Sequence, residues 1–398
     1  MQFLRVNSIK FIIAAFCMSV GFIVPLMPLV SAEGTPTPDT VTMAKARVLE
    51  IEKQEVRDVP GTDATAMLQT IRVTILDGDE KGKVVSIEND YLRLEKGDVF
   101  YLMHTVGTFD GVDYYSVNDP YRLPHVLVLV GIFVVIVFLF GGIQGVRGLA
   151  SMIGSFFLIF YVLLPGILQG YSPLLVTVTV SSLIIILGSY ITHGFNRTTT
   201  AAVLGMVLTV TITGLLALWA VDFTKLSGFG SEEAVYLNLN ARGAIDIIGL
   251  LLGGIIIGLL GVLYDAAIGQ AVSVDELIRI APHVSKKHIY TRAIRIGREH
   301  IGALVNTLAI AYVGAALPLL LLFIQSSTAS VAQIANTEIF STEIVRIMIG
   351  SIGLVLAVPI TTFVSVWFLS PKKKGGVESG TVTEELHALE HASGHHQH

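Results

Sequence analysis

The chain of 398 residues is 53% hydrophobic and only 14% charged, with a mean hydropathy of +0.71. That balance excludes an ordinary soluble domain and points to a multispan membrane protein. The formal charge of −5 hides a segregation: residues 33–122 hold 17 acidic against 10 basic side chains, while the remaining basic residues cluster in loops beside apolar runs, as topology signals and not as a nucleic-acid surface.

Residues 1–32 read as a secretory signal peptide or N-terminal anchor, with Arg5 and Lys10, an apolar run from Phe11 to Val24, and "VSA" at 30–32. Either outcome exports the residues from Glu33 onward. The single cysteine, Cys17, lies in that run behind Phe16, which departs from a lipoprotein signal; one cysteine excludes an intrachain disulfide or a cysteine-rich metal centre. "EGTPTPDT" then opens a linker over 33–43.

From 44 to 122 the period changes to two. "ARVLEIE", "QTIRVTIL", "KVVSIE", "DVFYLMH" and "DYYSVND" alternate apolar with polar residues, separated by turn sequences such as "DGDEKGK" and "EKGD". The pattern predicts an exported antiparallel β-barrel of about five strands, of OB or SH3-like type, because closure removes exposed sheet edges.

Seven apolar stretches come next, in a helical domain over 123–369: 123–141, 149–168, 173–192, 201–221, 243–264, 302–324 and 344–369. Each is close to the length of about 20 residues that crosses a hydrocarbon core. With the barrel outside, the inward loops carry Arg147, Arg197, Arg279, Lys286, Lys287, Arg292, Arg295, Arg298 and Lys372 to Lys374, against Lys225, Arg242 and Arg346 outside. This obeys the positive-inside rule and predicts a bacterial plasma-membrane protein with a cytoplasmic C-terminus. The odd number of spans argues against the inverted repeats of many secondary transporters.

The fifth stretch places Gly254, Gly258, Gly261 and Asp265 on one helical face, with Gly269 a further turn on. Arg298, Gly302 and Asn306 share a face of the sixth. Bare faces let helices approach closely in lipid, so the two stripes are expected to dock and enclose Asp265 beside Arg298 and Asn306 near the inner boundary. An acid at a helix centre costs about 2.5–3.5 kcal/mol on the insertion scale, which this span carries easily, so Asp265 reads equally as a boundary carboxylate or as an ion or substrate site. "SVDE" at 273–276 has capping-box spacing and predicts a new helix starting at Ser273 with Glu276 at N3. "SKKHIYTRAIRIGREH" puts Ile289, Ala293 and Ile296 on one face and Arg292, Arg295 and Arg298 on others, predicting a basic amphipathic helix on the inner membrane surface.

These residues resemble the YibE/F family of bacterial multispan membrane proteins. The likeness is carried by "DPYR" at 119–122, the Gly-rich span ending in "YD", and "GREHIGALVNT" at 297–307, and is read from Ala44 to about Phe368. It implies that Asp265, Glu276, Gly297, Arg298, Gly302, Asn306 and Thr307 keep to the family pattern, with departures at Glu299 and Gly269. The family supplies a fold and topology to expect, but no chemistry.

Other signals carry less. His283, His288 and His300 read as interfacial polar residues, His193 and Asn196 as groups satisfying helix ends, Arg242 and Asp246 as an interfacial pair, and Glu232 with Glu233 as a solvated face of a short helix or re-entrant piece. "HALEH" at 387–391 has the spacing of a zinc-protease motif but lies in the polar tail over 370–398, which is expected to be disordered and cannot build a walled site. His387, His391, His395 and His396 there are weak metal candidates. No enzyme and no cofactor is expected. The reading is a transporter or permease-like component for an unknown solute or ion, with the lipid bilayer, a second copy or a paralogous membrane protein as partners. The alternative is an assembly or sensory protein whose barrel binds a cell-envelope partner.

Overall fold

The computed structural model describes residues 40–58, 65–107, 112–241, 243, 245–325 and 330–370. The signal segment at 1–32, the tail histidines and Arg242 lie outside the described residues. The chain divides into two compact units between Ile132 and Phe133.

In the first unit the period-two stretches all form strands: β1 (Thr40–Asp58), β2 (Thr65–Ile75), β3 (Val84–Asn89), β4 (Val99–Val106) and β5 (Asp113–Pro120). They make one antiparallel sheet in the order β3-β2-β1-β4-β5. β1 serves two neighbours, pairing β4 through Thr40–Arg47 and β2 from Ala46 onward. Irregularities at Val48/Glu50 and Ile51/Lys53 bend it between those partners. Residues 40–43, expected in the linker, therefore belong to the sheet. Alternate residues Ala46, Val48, Ile71, Val73, Phe100 and Leu102 are almost completely buried in its core.

The expected closed barrel is a half-barrel here, because β3 and β5 are edge strands with no ladder between them. Side chains bridge them instead: Tyr115 of β5 donates to Glu80 in the β2–β3 turn (2.8 Å), and Lys83 donates to both Glu80 and Tyr115 (2.7 Å each). A second polar group fixes the β3–β4 connection from inside. Gln69, 1% exposed, donates to the Leu94 carbonyl and accepts from the Leu94 amide and the Asn89 side chain, at 3.0–3.1 Å.

The described elements from Leu123 onward are helical, with the first helix crossing the division between the units. α1 (Leu123–Leu158) runs through a π-helical turn (Ile159–Leu163) into α2 (Leu164–Leu168). It breaks at Gly142 (φ 52, ψ −140), a backbone that glycine alone adopts without strain, between the two stretches expected as separate spans. Next in the chain are α3 (Pro173–His193), α4 (Arg197–Phe223), a short α5 (Glu232–Asn240), α6 (Ile247–Ile280), α7 (Lys286–Ala315), α8 (Leu317–Gln325), α9 (Val331–Ala335) and α10 (Glu338–Leu369). Among the described residues, five helices are long and apolar enough to cross a membrane, or six if α7 and α8, bent by 63°, form one span. The expected seven differ in count because the first two fall on the single stretch Leu123–Leu168, broken at Gly142 between them, and the sixth falls on the bent pair.

α4, α6 and α10 pack on one another, α3 covers α4 and α6, and α7 covers α6 and α10. The α4–α10 contact is made by small residues in reciprocal register. A Cβ at Gly205 would lie 2.7 Å from Thr361 Oγ1, and one at Gly353 2.6 Å from Thr213 Oγ1, while Thr209 and Ala357, midway on each helix, are fully buried. Lipid provides no hydrophobic drive between helices, so contact has to come from close backbone approach of this kind.

Two local expectations are corrected. No helix starts at Ser273: α6 continues to Ile280, and the Ser273 hydroxyl donates back to the Gly269 carbonyl (2.9 Å), so Glu276 is an interior helical residue and not a capping-box partner. The basic segment is not a separate helix either. It is the first half of α7, with Ile289 and Ala293 buried and Arg292, Arg295 and Arg298 exposed; Ile296 is exposed too, since Gly297 takes the buried position beside it. Asp246 caps α6 by accepting from the Gly249 amide (2.9 Å), and Glu232 and Glu233 open α5 behind the Ser231 cap.

Candidate polar site

The α3–α4 turn builds the centre of the site. Gly194, at φ 77, ends α3, and Asn196 ties the turn by donating to the His193 carbonyl (3.1 Å) and accepting from the Thr199 amide (2.7 Å). Asn196 therefore satisfies helix ends as its sequence context requires. The turn leans on α6: Thr198 donates to Asp275 (3.0 Å), which Arg279 pairs from one helical turn away (2.8 Å). Nearby, the Thr192 and Tyr264 hydroxyls are hydrogen-bonded.

Between these elements lies a cavity of about 640 Å³, lined by His193, Asn196, Thr198, Asp275, Glu276 and Arg279 among others. Of the sequence-predicted residues, Glu276 is in the lining. Asp265, about three turns back along α6, is exposed and has no hydrogen bond or ion pair among the described residues.

The remaining candidates are not gathered around it. Arg298 and Asn306 are exposed on α7 with no hydrogen bond or ion pair among the described residues, and Thr307 donates only to the Ala303 carbonyl of its own helix (2.9 Å). The expected docking of the two glycine stripes does not occur. A Cβ at Gly254, Gly261, Gly269 or Gly302 would meet open space. α6 and α7 instead meet through Ala266 and Leu308, with Val262, Leu304, Val305 and Tyr312 around them. Bulky residues fill the interface, so only two predicted glycines work as contacts: Gly258 against the Tyr312 hydroxyl, and Gly297, which is buried against Val358 and Gln270.

Sequence reasoning passes over Gln270. It is 4% exposed and donates to the Ala293 carbonyl (2.8 Å) and to Thr362 (2.7 Å), joining α6, α7 and α10. The signal is present in the sequence, as the one amide in the run "AAIGQAVSV". Asp275 and Arg279 are equally legible as an i,i+4 pair.

The fold thus defines a protein of long apolar helices joined to a small antiparallel sheet, with a polar cavity where three of the helices end. Residues 129–371 match the family described as YibE/F-like protein, and the chain belongs to that family. Together with the apolar helices, this points to a membrane protein. The match starts inside α1, so the likeness read in the sheet and in "DPYR" falls outside it. No curated protein and no solved structure matches the chain.

Proposed function

We propose that this is a multi-pass protein of the bacterial plasma membrane, with its sheet outside and its C-terminus inside, and that it passes a cation or proton through the helical unit. The cavity at the α3–α4 turn carries this reading. It brings two acids, Asp275 and Glu276, to the place where α3, α4 and α6 end, with Asp265, which has no ion pair among the described residues, farther along α6. Carboxylates carried on apolar membrane helices are expensive and are usually retained for ion or proton handling. Loop charge supports the orientation, since the cavity end carries Arg197, Arg279, Lys286 and Lys287. The strand order of the sheet is compatible with a partly open OB-like barrel. Arg298, Asn306 and Thr307 are assigned to a contact with a second copy or a paralogous membrane protein, because exposed polar groups on a helix in lipid gain by finding partners.

The test is flux in proteoliposomes containing the purified chain, measured with an entrapped pH indicator and with cation-sensitive dyes. Asp265→Asn and Glu276→Gln are expected to lower flux at least about tenfold without changing the melting temperature in detergent. Flux that both variants leave intact overturns the site, and its absence from the unaltered chain under every imposed gradient overturns transport.

A further inference from the structure

The sheet carries a cluster of chemistry that the helical unit does not use. His104 of β4, 15% exposed in its side chain, lies between two acids on different elements: its Nε2 is 2.9 Å from Asp113 Oδ1 at the start of β5, and its Nδ1 is 3.7 Å from Glu80 Oε2 in the β2–β3 turn. The ring is stacked on Tyr115, with centroids 4.6 Å apart and planes 9° from parallel, so its orientation is held. Ligand atoms of the three residues all lie within 4.8 Å of one another.

The two nitrogens of His104 are in different situations. The Asp113 contact is at hydrogen-bonding distance, and a proton on Nε2 donated to that carboxylate leaves Nδ1 as an acceptor, near Glu80 and in a long contact with the Thr42 hydroxyl (3.4 Å) that a bound cation would replace. The Nδ1 to Oε2 gap is too long for a hydrogen bond. It is close to the separation of two ligands on one tetrahedral zinc ion, about 3.4 Å for bonds of about 2.1 Å. A carboxylate behind a ligating histidine is the usual support of such sites, where it fixes the tautomer and raises the basicity of the ring. Lys83 donates to Glu80 Oε1 and Tyr115 to Oε2, which orients the carboxylate and leaves Oε2 a second lone pair for a cation.

We propose that His104 Nδ1 and Glu80 Oε2 bind a divalent transition cation of the zinc type on the exported sheet, with Asp113 as the positioning carboxylate and water completing the coordination. Two protein ligands make an open site, suited to sensing or handing over a metal ion and not to locking a fold.

The probe is Zn²⁺, titrated by calorimetry into the full chain in detergent, with the tail histidines His387, His391, His395, His396 and His398 replaced by Asn so that the tail does not contribute. One ion per chain is expected. His104→Gln should abolish binding, Glu80→Gln should weaken it strongly, and Asp113→Asn should weaken it about 10- to 100-fold. No uptake by the tail-substituted chain, or uptake that His104→Gln leaves unchanged, overturns the proposal and leaves the cluster as a hydrogen-bonded latch. Should the His104 variant fail to fold, Co²⁺ added to the tail-substituted chain decides: visible bands of a bound ion support the site, and the spectrum of the hydrated ion overturns it. Neither result depends on flux, so this site and the transport reading fail separately.

Discussion

The sheet and the helical bundle hold their interiors together in opposite ways. In the sheet, alternate Val, Ile, Leu and Phe side chains fill the core, and the buried polar residues Gln69 and Asn89 are hydrogen-bonded. In the bundle, glycine meets threonine across α4 and α10, and several buried hydroxyls, among them Thr177, Ser181, Thr213 and Thr361, have no hydrogen-bond partner among the described residues. Water penalises exposed apolar area in the first case, so large side chains collect inside. In lipid that penalty vanishes, and shape at close range decides which helices touch. Volume is therefore the sensitive variable in the bundle, and polar satisfaction in the sheet.

The largest effect should come from adding volume to the α4–α10 contact. A side chain at Gly205 would also meet Thr361 Cα at 2.9 Å, a backbone atom that cannot swing away. Gly205→Val and Gly353→Val are expected to cost about 3 kcal/mol or more, seen as loss of a monodisperse, folded species in size-exclusion chromatography. Gly261→Leu, on the open face of α6, is the control and should leave folding unchanged. Equal damage from both would break the comparison.

Polar deletions should rank the other way. Gln69→Ala strands the Leu94 amide and carbonyl inside the sheet and removes one of the two bonds of the Asn89 amide, at about 1–3 kcal/mol. Gln270→Ala removes two bonds between helices, but such bonds average only about 0.6 kcal/mol in membrane proteins. Hydrogen exchange tracked peptide by peptide should show faster opening of β2 and β3 in the first variant, and a smaller change in α6 and α7 in the second. A larger effect at Gln270 would mean that the helical interior behaves like the sheet's.

The smallest effect is electrostatic. Lys83, and then Tyr115, hold the Glu80 carboxyl below its ordinary value of 4.5 by hydrogen bonding to the ionised form. A depressed acid stabilises the fold fully above its unfolded value and loses that contribution as pH falls through the folded one. Melting of the full chain should thus decline more gently below about pH 4.5 in Glu80→Gln than in the unaltered protein. Identical acid limbs would remove Glu80 from the bridge between β3 and β5.

Much of this was legible in the residues. The five strands form where period two runs, because alternation requires only that one face be buried. The long apolar helices come from hydropathy, and the Asn196 turn from cap chemistry. Pairing between helices was not legible. Gly254, Gly258, Gly261 and Gly269 share a face that looks like a docking surface, yet only Gly258 has a neighbour. The Glu80, His104 and Asp113 cluster on the sheet was also hidden: the three residues are scattered in sequence, and only the sheet register and the β2–β3 turn bring them together.

The sequence by itself determined the segregation of this chain into an acidic strand-forming part and an apolar helical part, since burial periodicity and hydropathy are properties of each segment alone. Which helix faces touch, where the cavity opens, and how Glu80, His104 and Asp113 come together were decided only by tertiary structure. Those outcomes depend on steric fit and on distances of a few ångströms between residues far apart in the chain, and no local pattern encodes them.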